Sequence, residues 1–183
     1  MIALLAMFLP AAAADPPDDA SWRPLRLATG VVLRRNSTTA AFLSFGIEPA
    51  QLGPAHLELT VSYTALHIFT LPGPRRTWGS LDGLVDLGFD LGQYLTTGPT
   101  VGAGLRIFSQ QGTLIDQSVT GLYGWRAAMT MFRSKPIGIV MEGRVLGDTR
   151  PVELVLATSQ VQQMPQLEVR FGLALVFGPR RRW

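Results

Sequence analysis

Eight segments of this chain alternate apolar and polar residues with a period of two, and that period admits only strands with two unlike faces. The closing segment is the clearest. Leu167, Val169, Phe171, Leu173, Leu175 and Phe177 share one face, while Glu168, Arg170, Gly172, Ala174 and Val176 share the other. Leu25 to Arg34 sets Leu25, Leu27, Val31 and Leu33 opposite Arg26, Ala28, Gly30 and Arg34. Ala41 to Glu48 sets Leu43, Phe45 and Ile47 opposite Ser44, Gly46 and Glu48. Leu57 to Phe69, Leu81 to Leu91, Val101 to Phe108, Val119 to Phe132 and Ile137 to Val145 follow the same rule. Their polar faces carry Glu58, Asp82, Asp86, Asp90, Arg106, Arg126, Glu142 and Arg144.

The connections alternate in character. Compact turn signals follow the second, fourth and sixth segments, at Pro49 to Pro54, Thr96 to Pro99 and Arg133 to Pro136. Longer polar stretches follow the third, fifth and seventh, at Thr70 to Ser80, Ser109 to Ser118 and Gly147 to Gln166. Short turns at one end and long loops at the other describe an antiparallel up-and-down barrel. The connection near Asn36 to Thr38 is short for a loop of the second kind. Val152 to Thr158 is read as an extension of the last hairpin, since single-chain bacterial membrane barrels use even strand numbers.

Alternation alone does not say which face points outward. Only 16% of the residues are charged, against roughly 25% in soluble domains, and the mean hydropathy is +0.23. No window offers the roughly 18 consecutive apolar residues of a membrane helix. Most alternating segments are long enough for the roughly 9–11 residues of a tilted spanning strand. Trp22, Tyr63, Trp78, Tyr94, Tyr123 and Trp125 fall mostly toward segment ends or loops, where interfacial girdles form. The expected fold is therefore all-β, an antiparallel up-and-down eight-stranded transmembrane β-barrel with its apolar faces outward.

With that polarity, six arginines (Arg26, Arg34, Arg106, Arg126, Arg144, Arg170) and seven acids (Glu48, Glu58, Asp82, Asp86, Asp90, Glu142, Glu168) point inward. An unpaired charge in a water-poor interior costs several kcal/mol, so near balance predicts an ion-paired lumen. Fifteen of the sixteen basic residues are arginine, which suits buried pairs better than lysine. An eight-stranded barrel is only wide enough for its side chains to fill, which excludes a wide diffusion pore. The net charge of +3 is scattered at strand spacing except for Arg180, Arg181 and Arg182, which argues against a nucleic-acid interface.

Outside the barrel, Met1 to Ala14 is an apolar run ending in small residues and followed by the acidic, proline-rich Asp15 to Asp19. It reads as a cleaved secretory signal, although no basic residue precedes the apolar run. The expected organisation is a signal peptide at 1–14, an N-terminal periplasmic segment at 15–24, the barrel at 25–177 and a basic tail at 178–183.

The eight segments, together with GPTVGAGLRIF at Gly98 to Phe108, MEGRVLG at Met141 to Gly147 and LEVRFGLALVF at Leu167 to Phe177, resemble the small OmpA/OmpX-type outer-membrane β-barrels of Gram-negative bacteria. The resemblance implies residence in the outer membrane among its lipids and lipopolysaccharide. It also implies a final strand read by the barrel-assembly machinery through Phe171, Leu173, Leu175 and Phe177. The tail that follows departs from the pattern by placing Trp183 beyond the strand. Arg75 and Arg76, in the second outer loop at Thr70 to Ser80, are candidates for contact with lipid phosphates.

Chemistry is sparse. With no cysteine, thiolate metal sites and disulfides are excluded. The two histidines, His56 and His67, are eleven residues apart, outside close-spaced metal motifs. His67 with Ser80, Ser109 or Ser118 imitates a rim lipid hydrolase, but no G-x-S-x-G arrangement supports it. No catalytic residue, cofactor or metal is expected. The favoured function is a structural or surface-interaction protein that meets partners through its extracellular loops. The alternatives are a narrow channel or transporter for a small or hydrophobic solute, a lipocalin-like soluble periplasmic binder, and the rim hydrolase.

Overall fold

A computed structural model of the chain describes residues 24–34, 39–68, 76–110, 113–134, 137–149, 153–155, 161–163 and 167–178. The strands in chain order are β1 (Leu25–Arg34), β2 (Ala40–Leu52), β3 (Ala55–Ile68), β4 (Arg76–Leu91), β5 (Leu95–Gln110), β6 (Thr113–Ser134), β7 (Ile137–Asp148), β8 (Glu153–Val155), β9 (Val161–Gln163) and β10 (Leu167–Phe177). Eight of them close into one antiparallel barrel in the order β1-β10-β7-β6-β5-β4-β3-β2. Closure pairs each wall strand on both sides and leaves the barrel without a sheet edge. The seam is a ten-pair register from Leu25 opposite Phe177 to Arg34 opposite Glu168. β8 and β9 pair only with each other, so the 149–166 connection holds a small separate hairpin, and among the described residues the wall has no ninth strand.

The polarity of the wall is inverted relative to a soluble barrel. Phe171 and Leu173 on β10 are 52% and 54% exposed, whereas Glu168 and Arg170 on the same strand are 1% and 2% exposed. The same division holds on the other wall strands: Leu43, Phe45, Val61, Leu81, Val101, Trp125 and Met141 face out, and Ser44, Glu58, Ser62, Asp82, Thr100, Arg126 and Glu142 are buried. A lipocalin-like binder needs the opposite arrangement, with its apolar side chains around a central cavity. Inside, apolar side chains pack in patches that include Leu84–Leu122–Leu146 and a set built on Phe42, Val32, Val140 and three alanines.

Several strand ends differ from the sequence expectation. The turn after β4 is Gly92 to Tyr94, where Gly92 has φ of 75°, and Thr96 to Pro99 lies within β5. Pro99 has no N–H to give to the ladder, and the β4–β5 register omits Leu87 and Gly88 opposite Pro99 and Gly98. β2 likewise continues through Pro49 to Leu52, with a register shift between Ile47 and Ala50, so the first turn is Gly53–Pro54. Ser109 to Ser118, expected as a long loop, is mostly strand: β5 runs to Gln110 and β6 starts at Thr113. Above the lipid a strand needs no apolar face, so polar composition there does not mark its end. β6 pairs with β7 only from Leu122 onward, and Thr113 to Gly121 extends the β5–β6 hairpin past the wall formed with β7. At the other end, a bulge between Thr130 and Phe132 puts both Met131 and Phe132 on the exposed face.

The segments at 1–14 and 15–23 and the tail from Pro179 onward lie outside the described residues. A guanidinium placed on the outer wall tests its polarity. Leu173→Arg is expected to lower the unfolding free energy by about 2–4 kcal/mol in lipid vesicles, read by urea titration. An unchanged midpoint would mean that this face does not contact acyl chains.

Candidate functional site

The chemistry of this barrel is concentrated in its lumen, where period-two alternation on eight strands converges a set of ionic side chains. The register gives them an uneven layout. Arg126 on β6 pairs directly with Arg144 on β7, and Arg144 pairs directly with Arg170 on β10. Like charges in directly opposed positions repel. Across the bore, β3 and β4 present Glu58 opposite Asp86 and Ser62 opposite Asp82. The basic wall is thus neutralised by the acidic wall facing it.

The contacts form two clusters. Toward the turn end, Arg126 Nη1 donates to Glu58 Oε2 at 2.8 Å, and Arg144 Nη2 donates to Asp86 Oδ2 at 2.6 Å. Arg26 of β1 bridges Glu58 and Glu142, while the Nε of Arg126 lies 3.4 Å from Glu142. Thr60 and Thr100 add hydroxyl donors to Asp86. Toward the loop end, Arg106 Nη1 donates to Asp82 Oδ1 at 2.7 Å and its Nη2 to Asp148 Oδ1 at 2.8 Å. Arg34 also pairs with Asp148, and Arg170 bridges Asp82 and Glu168 while donating to Ser62 Oγ at 2.8 Å. In each cluster these pairs join three arginines to three carboxylates. A Cβ at Gly104 would sit 2.3 Å from Asp82 Oδ1, so only glycine leaves that carboxylate its place beside Arg106.

All thirteen charged residues expected in the lumen lie on inward-facing positions. Glu48 is buried on β2, and Asp90 is half-buried near the turn end, where it accepts from Thr96 Oγ1. Three lumen residues escape the sequence reading. Asp148 falls in an expected loop, yet it continues the inward parity of Arg144 and Leu146 and joins two arginines. His56 stands next to a turn signal, yet it shares the parity of Glu58 and Thr60, is 2% exposed, and brings Nδ1 within 3.5 Å of Asp90 Oδ2. Trp78 is expected in an interfacial girdle, and the structure corrects that: its parity is that of Ser80 and Asp82, and it is fully buried in the lumen with the Arg34 guanidinium 4.5 Å from its ring centre. Parity extended past the apparent strand ends finds all three.

Tyr63, Tyr94, Tyr123 and Trp125 are exposed on the outside, and the Trp125 indole N–H donates to Thr97 Oγ1 at 2.6 Å. Phe171, Leu173 and Leu175 are exposed on the outer face of β10, with Phe177 half-buried at its end. Arg75 lies outside the described residues, as does the side chain of Arg76, whose backbone opens β4. The side chain of His67 is likewise outside them. Of its candidate serine partners, Ser80 is buried in the lumen and donates to Asp82 Oδ2 at 3.0 Å, and the hydroxyl of Ser109 pairs with that of Thr77. Among the described residues, no group of three or more His, Asp or Glu side chains is placed to hold a metal ion.

Asp148 provides a test of the network. Asp148→Ala removes a carboxylate shared by two buried guanidiniums and is expected to destabilise the barrel by about 3–5 kcal/mol. The exposed Asp116→Ala is expected to stay within about 0.5 kcal/mol. Denaturant unfolding of the two variants side by side reads the difference.

No family model matches this sequence, and no curated protein does. Solved structures match its fold. Neisserial surface protein A superposes with a TM-score of 0.53 at 10% sequence identity, over 86% of this chain and 96% of that one. A major outer membrane protein from Thermus thermophilus superposes with a TM-score of 0.52 at 13% identity, over 85% of this chain and 100% of that one. The closed eight-strand ring, the outward apolar wall and these two superpositions assign the chain the fold of the small outer-membrane β-barrels.

Proposed function

We propose that this chain is an integral protein of a bacterial outer membrane that acts without catalysis, as a structural or surface-interaction barrel. The carrying observation is the pairing of an apolar exterior with a lumen occupied by two clusters of paired arginines and carboxylates. Such a wall belongs in acyl chains, and such a lumen leaves no open bore for solute flow. What remains for function is the end that projects from the lipid. Strands β4, β5 and β6, of 16, 16 and 22 residues, exceed the roughly 9–11 that crossing requires. The β5–β6 hairpin, whose Thr113 to Gly121 arm runs past the wall formed with β7, offers at the loop end a surface on which a protein or lipopolysaccharide partner can bind. In this reading residues 1–14 are a cleaved export signal, β10 carries the assembly signal, and Arg75 and Arg76 meet lipid phosphates at the outer surface.

Fractionation and electrophoresis test the membrane assignment. The protein is expected in outer-membrane fractions and, extracted in detergent, to migrate differently before and after boiling. Recovery in the soluble periplasm with no heat-dependent shift would overturn it. Planar-bilayer recording tests the closed lumen. The wild-type barrel is expected to give no discrete conductance steps, and reproducible steps would favour the narrow-channel alternative.

A further inference from the structure

The two ends of the lumen are built differently. At the turn end a recess of about 50 Å³ enters the barrel beside Pro24, Glu48, His56, Thr96 and Ala128, and stops at Arg26, Glu58 and Arg126. At the loop end an aromatic ring occupies the bore. Trp78 stands two residues inside the start of β4, and Phe108, its direct ladder partner on β5, is buried beside it. Arg34 is the last residue of β1, a strand separated from β4 by β2 and β3 in an eight-strand ring, so the two residues approach from nearly opposite walls. Its guanidinium nevertheless lies 4.5 Å from the centre of the Trp78 ring, and that of Arg106 lies 5.9 Å away. A cation over an indole face is held electrostatically, most strongly where water is excluded. Asp148 of β7 pairs with both guanidiniums and so ties a fourth strand to the same point.

We propose that Trp78, clamped by Arg34 and Arg106, is a stopper that closes the loop end of the lumen, so that the barrel is a cup accessible from its turn end alone. The ionic pairs next to it would draw water to that end, because ionic side chains attract it. A buried indole with Phe108 beside it excludes that water. The stopper also shields the loop-end cluster from solvent screening, which keeps its charge pairs strong.

The absence of cysteine from the chain makes the test clean, because each introduced thiol is the only one present. Single cysteines are placed at Thr130, which lines the recess and is half-buried, and at Ser80, which lies in the lumen below Trp78. The folded proteins in detergent micelles are treated with a small charged methanethiosulfonate. Thr130→Cys is expected to react readily and Ser80→Cys to be inert. Adding Trp78→Ala to Ser80→Cys is expected to raise its labelling rate at least about tenfold. Trp78→Val, a better strand former, serves the same purpose if the alanine variant lacks the heat-modifiable folded band. A Ser80→Cys thiol that is already reactive with Trp78 in place would overturn the stopper, as would one that stays inert in both folded Trp78 variants. Heat-dependent migration of the same samples reports separately on whether the barrel is folded.

Discussion

Three arginines stand side by side on one wall of this barrel, a placement that would drive the strands apart were it not for the carboxylates across the bore. Arg126, Arg144 and Arg170 occupy consecutive strands in direct register, and each reaches a carboxylate that β3 or β4 supplies from the facing wall. Because the attraction runs across the lumen and the repulsion along the wall, the favourable arrangement is a closed ring. An open or slipped sheet would keep the row of like charges and lose their partners. Closure of the seam between β1 and β10 therefore depends on cross-bore electrostatics as well as on backbone pairing.

The exterior follows from the same constraint. An interior filled with paired ionic side chains leaves the apolar half of every strand pointing outward, where water would penalise it and acyl chains would not. Lumen and wall specify one another, since each strand has only two faces. Isolated substitutions on either face therefore act through different physics: desolvated charge inside, and the solubility of a polar group in hydrocarbon outside.

Much of this is legible along the chain. The wall strands, their antiparallel order and the inward set from Arg26 to Arg170 follow from counting alternate residues, and β1 and β10 have the bounds that counting predicts. Failures cluster where the strands leave the lipid. There, apolar alternation has no bilayer to answer to, so Asp148, Trp78 and the Ser109 to Ser118 hairpin resemble loop or girdle. Pro49 and Pro99 mislead for a related reason: proline reads as a turn signal, yet both stand inside strands at interruptions of the ladder, where no N–H is required. His56 is hard to place because a true turn at Gly53–Pro54 lies only two residues away.

Alternation by itself determined that strands would form, which residues would share a face, and that one face would carry almost equal numbers of arginines and acids. These are properties of neighbouring residues and need no knowledge of distant ones. Partner choice was decided only by the folded ring. Which carboxylate answers Arg34 or Arg106, why Arg144 tolerates an arginine on either side, and how Arg34 comes to lie over Trp78 depend on which strands stand opposite one another, and that is set by barrel closure and register, which bring together residues as distant in sequence as Leu25 and Phe177.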